Sequence, residues 1–118
     1  LQRLRLADDE PLAVETSRLH FRGCEKLLEE DLEQHSLYAL LETKFGVTLQ
    51  EAEQELDAGL AGAEEAALLH LPVGGSVLYI RRTTYTDRNQ AIEYARSIYR
   101  GDKYTFYTRL RRDQLFNP

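Results

Sequence analysis

The stretch that decides the fold is Tyr79–Arg112, which reads YIRRTTYTDRNQAIEYARSIYRGDKYTFYTRLRR. It is rich in aromatic and β-branched residues, which favour strands. Polar turn sequences interrupt it at residues 87–90 (Asp-Arg-Asn-Gln) and 101–103 (Gly-Asp-Lys). Because short polar turns join only antiparallel neighbours, the pattern predicts a three-stranded antiparallel meander.

The middle strand of this meander has one polar face. Alternation places four side chains on that face: Glu93, Ala95, Ser97 and Tyr99. The other face carries Ile92, Tyr94, Arg96 and Ile98. A carboxylate and a phenol on the same face of a central strand are typical of the floor of a small-molecule site. The alternative is that Glu93 is a solvated position on an exposed sheet face.

Composition and charge narrow the class of protein. The chain has 118 residues, 42% of them hydrophobic and 30% charged, which predicts one globular domain with a modest core. It contains no apolar run of membrane-spanning length and no signal peptide, so we expect no membrane partner and a cytoplasmic location. The net charge of -5 argues against nucleic-acid binding by this piece alone.

The cysteine and histidine residues carry no sign of a metal or redox centre. Cys24 is the only cysteine, so the chain has no internal disulfide, and the three histidines lack ligand spacing. We therefore expect no metal and no cofactor. His20 lies four residues from Cys24, but local adjacency is not triad geometry, and a structural thiol is the preferred interpretation.

The first 21 residues predict a β-hairpin. Two alternating segments, 1–6 and 12–21, flank a polar turn at 7–11. Alternation places Arg3 and Arg5 on one face of the first strand, and Glu15 lies on the return strand. Two guanidinium groups side by side form a fork suited to a phosphate or carboxylate. The alternative is a pair of surface arginines, bonded to Glu15 or unpaired.

Two helices are predicted between the hairpin and the meander. Residues 36–46 carry leucines at helical spacing, with Ser36 as the N-cap and Gly46 as the stop. Ser36 is either a plain capping residue or part of an anion site at the helix N-terminus. Residues 61–71 form the second helix, which Pro72 ends.

The remaining segments are less regular. Residues 22–34 predict one or two irregular helical turns, and residues 47–60 fit a helix and a strand equally well. Residues 73–75 form a turn before the strand at 76–86. The order of elements predicts an α+β domain with a mostly antiparallel sheet flanked by helices.

Motifs of common catalytic centres are absent from the sequence. It has no Gly-rich phosphate loop, Cys-x-x-Cys, His-Glu-x-x-His or Gly-x-Ser-x-Gly. Glu15 and Glu93 would form an acid/base pair only if their strands brought them close together. The prominent side chains are binding groups, so we predict a ligand sensor without catalytic residues, not an enzyme.

The order of these motifs resembles a known family, the effector-binding (UTRA) domain of HutC-subfamily GntR-type bacterial transcription regulators. The resemblance covers nearly the whole chain. It rests on RLRLADDEP at 3–11, Glu15, Ser-Leu-Tyr at 36–38, the leucines before Pro72, AIEY at 91–94 and YRGDKYTF at 99–106.

The resemblance implies a chorismate-lyase-like fold with a strand at Thr48–Leu60. It also implies that residues 1–118 form an effector-binding and dimerisation domain. We expect this domain to lack its N-terminal edge and the winged helix-turn-helix, because the chain opens at Leu1 without a methionine and directly enters a strand.

The resemblance further implies a transcription regulator, most simply a repressor. It would be a homodimer that binds DNA only through the missing head and responds to a sugar phosphate or organic acid. The anion would lie at Arg3, Arg5, Ser36 and Tyr38, and the polar remainder of the ligand at Glu15, Glu93 and Tyr99. The alternatives are a small lyase on the same fold and a domain that only dimerises.

Overall fold

A computed structural model describes residues 1–116 of the chain. Within them lie five strands, β1 (Gln2–Ala7), β2 (Glu10–Leu19), β3 (Leu49–Leu60), β4 (Ser76–Thr86) and β5 (Ala91–Arg100). The helical elements are a 3₁₀ helix (Cys24–Glu29), α1 (Leu37–Thr43), α2 (Ala63–Leu69) and α3 (Arg112–Phe116). The strands form one antiparallel sheet in the order β1-β2-β5-β4-β3. The predicted α+β class is confirmed.

The turn between β1 and β2 fixes the first hairpin. Asp8 and Asp9 both have positive φ, 51° and 63°, and Ala7 pairs directly with Glu10 across the turn. Two central residues with positive φ are the mark of a type I′ turn, whose twist matches that of the flanking strands. Aspartate tolerates this conformation better than most residues, so the predicted hairpin follows from its turn sequence.

The ambiguous segment at 47–60 is a strand, as the resemblance implied. It pairs with β4 from Leu49 to Leu60, and within residues 1–116 no strand pairs with its other edge. Most of its side chains are exposed, so its helical propensity is outweighed by backbone pairing with β4 rather than by burial. None of the helices within residues 1–116 is long and apolar enough to span a membrane.

The prediction of a third strand in the meander is wrong. After β5 the chain turns at residues 101–103, continues without regular structure to residue 111, and enters α3. The reason is that both edges of β5 are already occupied, one by β4 and the other by β2. The aromatic segment that follows therefore has no free edge of β5 with which to pair.

Two apolar clusters hold the helices to the sheet. The first joins α2 to the sheet and contains Val14, Ala61, Ala66, Leu69 and Val77. The second joins the 3₁₀ helix and α1 to the end of β5 and contains Leu27, Leu37, Leu41 and Ile92. Both α-helices are shorter than predicted, and α1 includes the three leucines at helical spacing, Leu37, Leu40 and Leu41, all of them buried.

We expect Leu69→Ala to lower the free energy of unfolding by about 2–5 kcal/mol, because it removes buried methyl groups and leaves a cavity. Leu69 is fully buried in the α2 cluster. Leu68→Ala is the matched control, since Leu68 is 39% exposed and its truncation should change stability much less. Urea denaturation of both variants measures the difference, and equal losses would contradict this description of the core.

Candidate functional site

The register of the sheet gathers polar side chains on one face. Residues directly paired across two strands point to the same side. Thr84 of β4 pairs with Glu93 of β5, and Arg82 pairs with Ala95. On the far side of β5, Glu15 of β2 pairs with Ser97. The polar face predicted for β5 therefore extends across its neighbours on both sides.

A cavity of about 1260 Å³ lies over this face. Its walls are β1, the segment at 32–38 that leads into α1, and the chain after β5 at 104–107. All seven residues predicted as ligand contacts line it: Arg3, Arg5, Glu15, Ser36, Tyr38, Glu93 and Tyr99. It is also lined by polar residues that were not predicted as ligand contacts: Ser17, Gln54, Arg82, Ser97 and Tyr104.

Glu93 is the most buried charged group of the cavity, at 4% exposure. Its Oε1 accepts the hydroxyl of Tyr38 at 2.5 Å and the hydroxyl of Thr84 at 3.0 Å. Its Oε2 has no hydrogen bond with the described residues. No buried side-chain nitrogen or oxygen in that part of the chain lacks a partner, so Oε2 reaches the cavity surface and is available to a ligand.

The two arginines of β1 share one carboxylate. Glu15 Oε2 lies 3.1 Å from Arg3 Nη2 and 3.8 Å from Arg5 Nη1. The alternative in which the arginines pair with Glu15 is therefore what the structure shows, and the same groups also face the cavity. Two guanidinium charges against one carboxylate leave this end of the cavity with a net positive charge.

Tyr99 connects this cluster to β5. Its hydroxyl donates to Glu15 Oε1 at 3.3 Å, and its ring stacks on that of Tyr104 with centroids 4.0 Å apart. Burial of the phenol and the negative charge of Glu15 raise the pKa of Tyr99 to about 12. The phenol therefore remains a neutral donor at physiological pH.

Ser36 and Tyr38 lie at the start of α1. The Ser36 side chain accepts the amide of Ala39 at 3.5 Å, which makes it the N-cap. Tyr38 is bonded to Glu93, not to either arginine of β1, although the resemblance grouped it with the anion. Of the residues predicted to bind the anion, the structure brings Arg3 and Arg5 together and places Tyr38 at Glu93.

Glu15 and Glu93 do not form an acid/base pair. In the register of β2 with β5, Glu15 lies opposite Ser97, and Glu93 is four residues further along the strand. At about 3.3 Å per residue this is roughly 13 Å. Cys24 is half-buried and lies outside the cavity. Within residues 1–116, no group of three or more His, Cys, Asp or Glu side chains is arranged to hold a metal ion.

Comparison with known proteins agrees with this architecture. The family model for the UTRA domain matches residues 1–105. This chain belongs to the UTRA domain family. The HTH-type transcriptional repressor NagR of Bacillus subtilis (strain 168) is 42% identical over 106 residues, which are 90% of this chain and 43% of that protein. This UTRA domain thus spans less than half the length of that curated relative.

Solved structures show the same fold. The effector domain of PhnF from Mycobacterium smegmatis superimposes with a TM-score of 0.84 at 30% identity, over 93% of this chain and 67% of that one. The C-terminal domain of the histidine utilization repressor from Pseudomonas syringae pv. tomato str. DC3000 gives 0.81 at 28% identity, over 92% and 75%. The homologues of this UTRA domain are transcription regulators, and NagR and PhnF are named as repressors.

We expect Tyr38→Phe to lower the free energy of unfolding by about 1–3 kcal/mol, because it leaves the buried Glu93 carboxylate with one donor fewer. Urea denaturation near neutral pH measures the loss. Tyr107→Phe makes the same chemical change at a residue that is 80% exposed, and should be neutral. A Tyr38→Phe variant as stable as this control would show that the 2.5 Å contact contributes little.

We expect one phenol of this UTRA domain to ionise about two pH units above an ordinary tyrosine, whose pKa is about 10. Because the pKa of Tyr99 is raised in the folded state to about 12, its contribution to stability is complete below pH 10 and is lost as the pH rises through 12. Ultraviolet titration of phenolate, compared with Tyr99→Phe, identifies the step. If Tyr99→Phe instead removes a phenol that ionises near pH 10, as an ordinary tyrosine does, the burial of this phenol is contradicted.

Proposed function

We propose that this UTRA domain is the sensor of a transcription repressor and binds a small anionic metabolite, a sugar phosphate, across its cavity. The observation that carries the proposal is that the two ends of the cavity carry groups of opposite charge. Two guanidinium groups that share one carboxylate lie at β1, and a buried carboxylate with an open oxygen lies at the far end of β5.

The β1 end suits a phosphate. Arg3 and Arg5 stand on one edge strand, so their guanidinium planes can both reach an anion without moving the backbone. Their present partner Glu15 is partly exposed and makes a contact of 3.1 Å to one arginine and 3.8 Å to the other. Of the two arginines, Arg5 is 53% exposed, and an exposed ion pair is worth about 0–1 kcal/mol, so a doubly charged phosphate competes readily for this arginine.

The β5 end suits hydroxyl groups. Glu93 Oε2 is an acceptor without a partner among the described residues, and Tyr99 supplies a neutral phenol nearer to the arginines, at Glu15. A few convergent polar groups of this kind orient a ligand within a pocket. A phosphorylated sugar satisfies both ends, since it has a dianion at one end and hydroxyl donors along its length.

In this proposal, α1 is the element that transmits ligand binding to the rest of the regulator. Tyr38 ties this helix to Glu93, so a ligand that bonds Glu93 Oε2 acts on the group that fixes the helix on the sheet. We propose that, in a longer cytoplasmic homodimer with DNA-binding heads, the ligand shifts the balance between two arrangements for which its affinity differs. The repressor names of NagR and PhnF support this role.

We expect glucose 6-phosphate, as a representative sugar phosphate, to raise the thermal midpoint of the domain, with stabilisation of about 2.7 kcal/mol at one hundred times its Kd. Arg3→Ala combined with Arg5→Ala should abolish the shift, because the phosphate loses both guanidinium partners. Differential scanning fluorimetry measures the change of each variant relative to its own ligand-free midpoint.

The matched control is Arg18→Ala combined with Arg96→Ala. It removes the same charge from two exposed residues that do not line the cavity, and it should leave the ligand-induced shift intact. If a panel of sugar phosphates and small organic acids fails to move the wild-type midpoint, the sensor proposal is wrong. If both double variants lose the shift equally, the effect is one of net charge and not of the β1 arginines.

A further inference from the structure

Arg82 is a cation in the cavity that forms no salt bridge with the described residues. Its Nε and Nη2 donate to Gln54 Oε1 at 3.0 and 2.7 Å, and its Nη1 donates to the hydroxyl of Tyr38 at 3.4 Å. Among the residues that the structure describes, no carboxylate oxygen lies within 4.0 Å of this guanidinium. By contrast, its neighbour Arg81 on the other face bonds both Glu55 and Asp57.

The hydrogen bonds of Arg82 leave donors unused. A guanidinium has five N–H donors in a fixed plane, and the bonds to Gln54 and Tyr38 occupy three of them. Both acceptors are neutral, and Gln54 is an exposed residue of the edge strand β3. The side chain is therefore positioned and held with two N–H donors to spare, and Glu93, whose negative charge acts on it, forms no salt bridge with it.

The position of Arg82 separates it from the β1 arginines. It lies on β4, three strands from β1 in the sheet order, which is about 14 Å at a spacing of about 4.8 Å. One phosphate group cannot bridge this distance, so Arg82 would meet a different part of the ligand from Arg3 and Arg5. Its bond to Tyr38 places it next to Glu93, whose Oε2 is open to the cavity.

We propose that Arg82 is a ligand-binding residue that receives a carboxylate oxygen at the end of the ligand opposite its phosphate. A guanidinium donor and a carboxylate acceptor side by side match an α-hydroxy acid. The acid oxygen accepts from Arg82, and the adjacent hydroxyl donates to Glu93 Oε2. This inference rests on the proposed function, and it narrows the class of ligand to phosphorylated polyhydroxy acids.

A purely structural role for Arg82 makes a different prediction. In that case the guanidinium only ties β3 to β4 through Gln54, and its loss would lower stability without changing which ligand is preferred. Ligand preference separates the two roles, because loss of a tie between strands alters the binding of all ligands alike, whereas loss of a carboxylate contact weakens only the binding of a ligand with a carboxylate. Arg81→Gln is the control for a general effect of charge, since it removes the same charge one residue away on the opposite face of the sheet.

The test compares two probes by calorimetric titration, 6-phosphogluconate and glucitol 6-phosphate. They share the phosphate and the carbon chain, and they differ in having a carboxylate or a hydroxymethyl group at the far end. We expect wild type to bind 6-phosphogluconate about tenfold more tightly or better, the range for charge-assisted hydrogen bonds. Arg82→Gln should reduce the ratio to about twofold or less while binding of glucitol 6-phosphate is retained.

The control Arg81→Gln should keep the wild-type preference, with a ratio close to that of wild type. Equal affinity of wild type for the two probes would overturn the inference and leave the phosphate sensor intact. So would a ratio that survives Arg82→Gln or is lost in Arg81→Gln. Failure of both probes, together with glucose 6-phosphate, to bind wild type would overturn the proposed function and the inference with it.

Discussion

A buried carboxylate beneath a short helix is the constraint on which the site depends. Removing Glu93 from water carries a cost of several kcal/mol unless hydrogen bonds replace its hydration. Two hydroxyls provide them, Tyr38 from α1 and Thr84 from the neighbouring strand, both to the same oxygen. The apolar cluster around Leu37 and Leu41 holds α1 against the sheet, while the polar contact fixes which turn of the helix faces the cavity. The second oxygen is left for a ligand because both donors converge on the first.

The β1 end of the cavity carries the opposite charge. Its arginines share one internal partner, Glu15, which lies 3.1 Å from the half-buried Arg3 and 3.8 Å from the exposed Arg5. This partner keeps Arg3 and Arg5 aligned on one strand face, and the proposed ligand would have to compete with it. The cavity therefore has a buried acceptor at one end and two cations that share one carboxylate at the other.

Much of this arrangement could be predicted from local sequence. Alternation placed Glu93 and Tyr99 on one face, and the polar turn at 7–11 predicted the hairpin that brings Arg3 next to Glu15. What could not be predicted depends on pairing between distant strands. The segment at 104–111 has the residues of a strand, but β2 occupies the edge of β5 that it would need. Local pattern contains no information about that competition.

Arg82 was missed for the same reason. Within β4 it is one of two adjacent arginines, and alternation alone does not decide which of them faces the polar side. The register does, because Arg82 pairs with Ala95 on the face of Glu93, whereas Arg81 pairs with Arg96 on the other. The strand at 49–60 shows a related effect, since its local sequence suited a helix equally well and only pairing with β4 decided the outcome.

The pairing of β2 with β5 has a consequence for how the molecule assembles. Ala13 lies opposite Tyr99, and Leu19 lies opposite Glu93, so the centre of the sheet joins segments from near the two ends of the chain. The entropy of closing so large a loop must be overcome before the contacts form, and domains rich in such distant contacts fold in milliseconds to seconds rather than microseconds. The two hairpins can form early by themselves, but the cavity lies across the seam between them. The cavity is therefore complete only after this long-range pairing has formed.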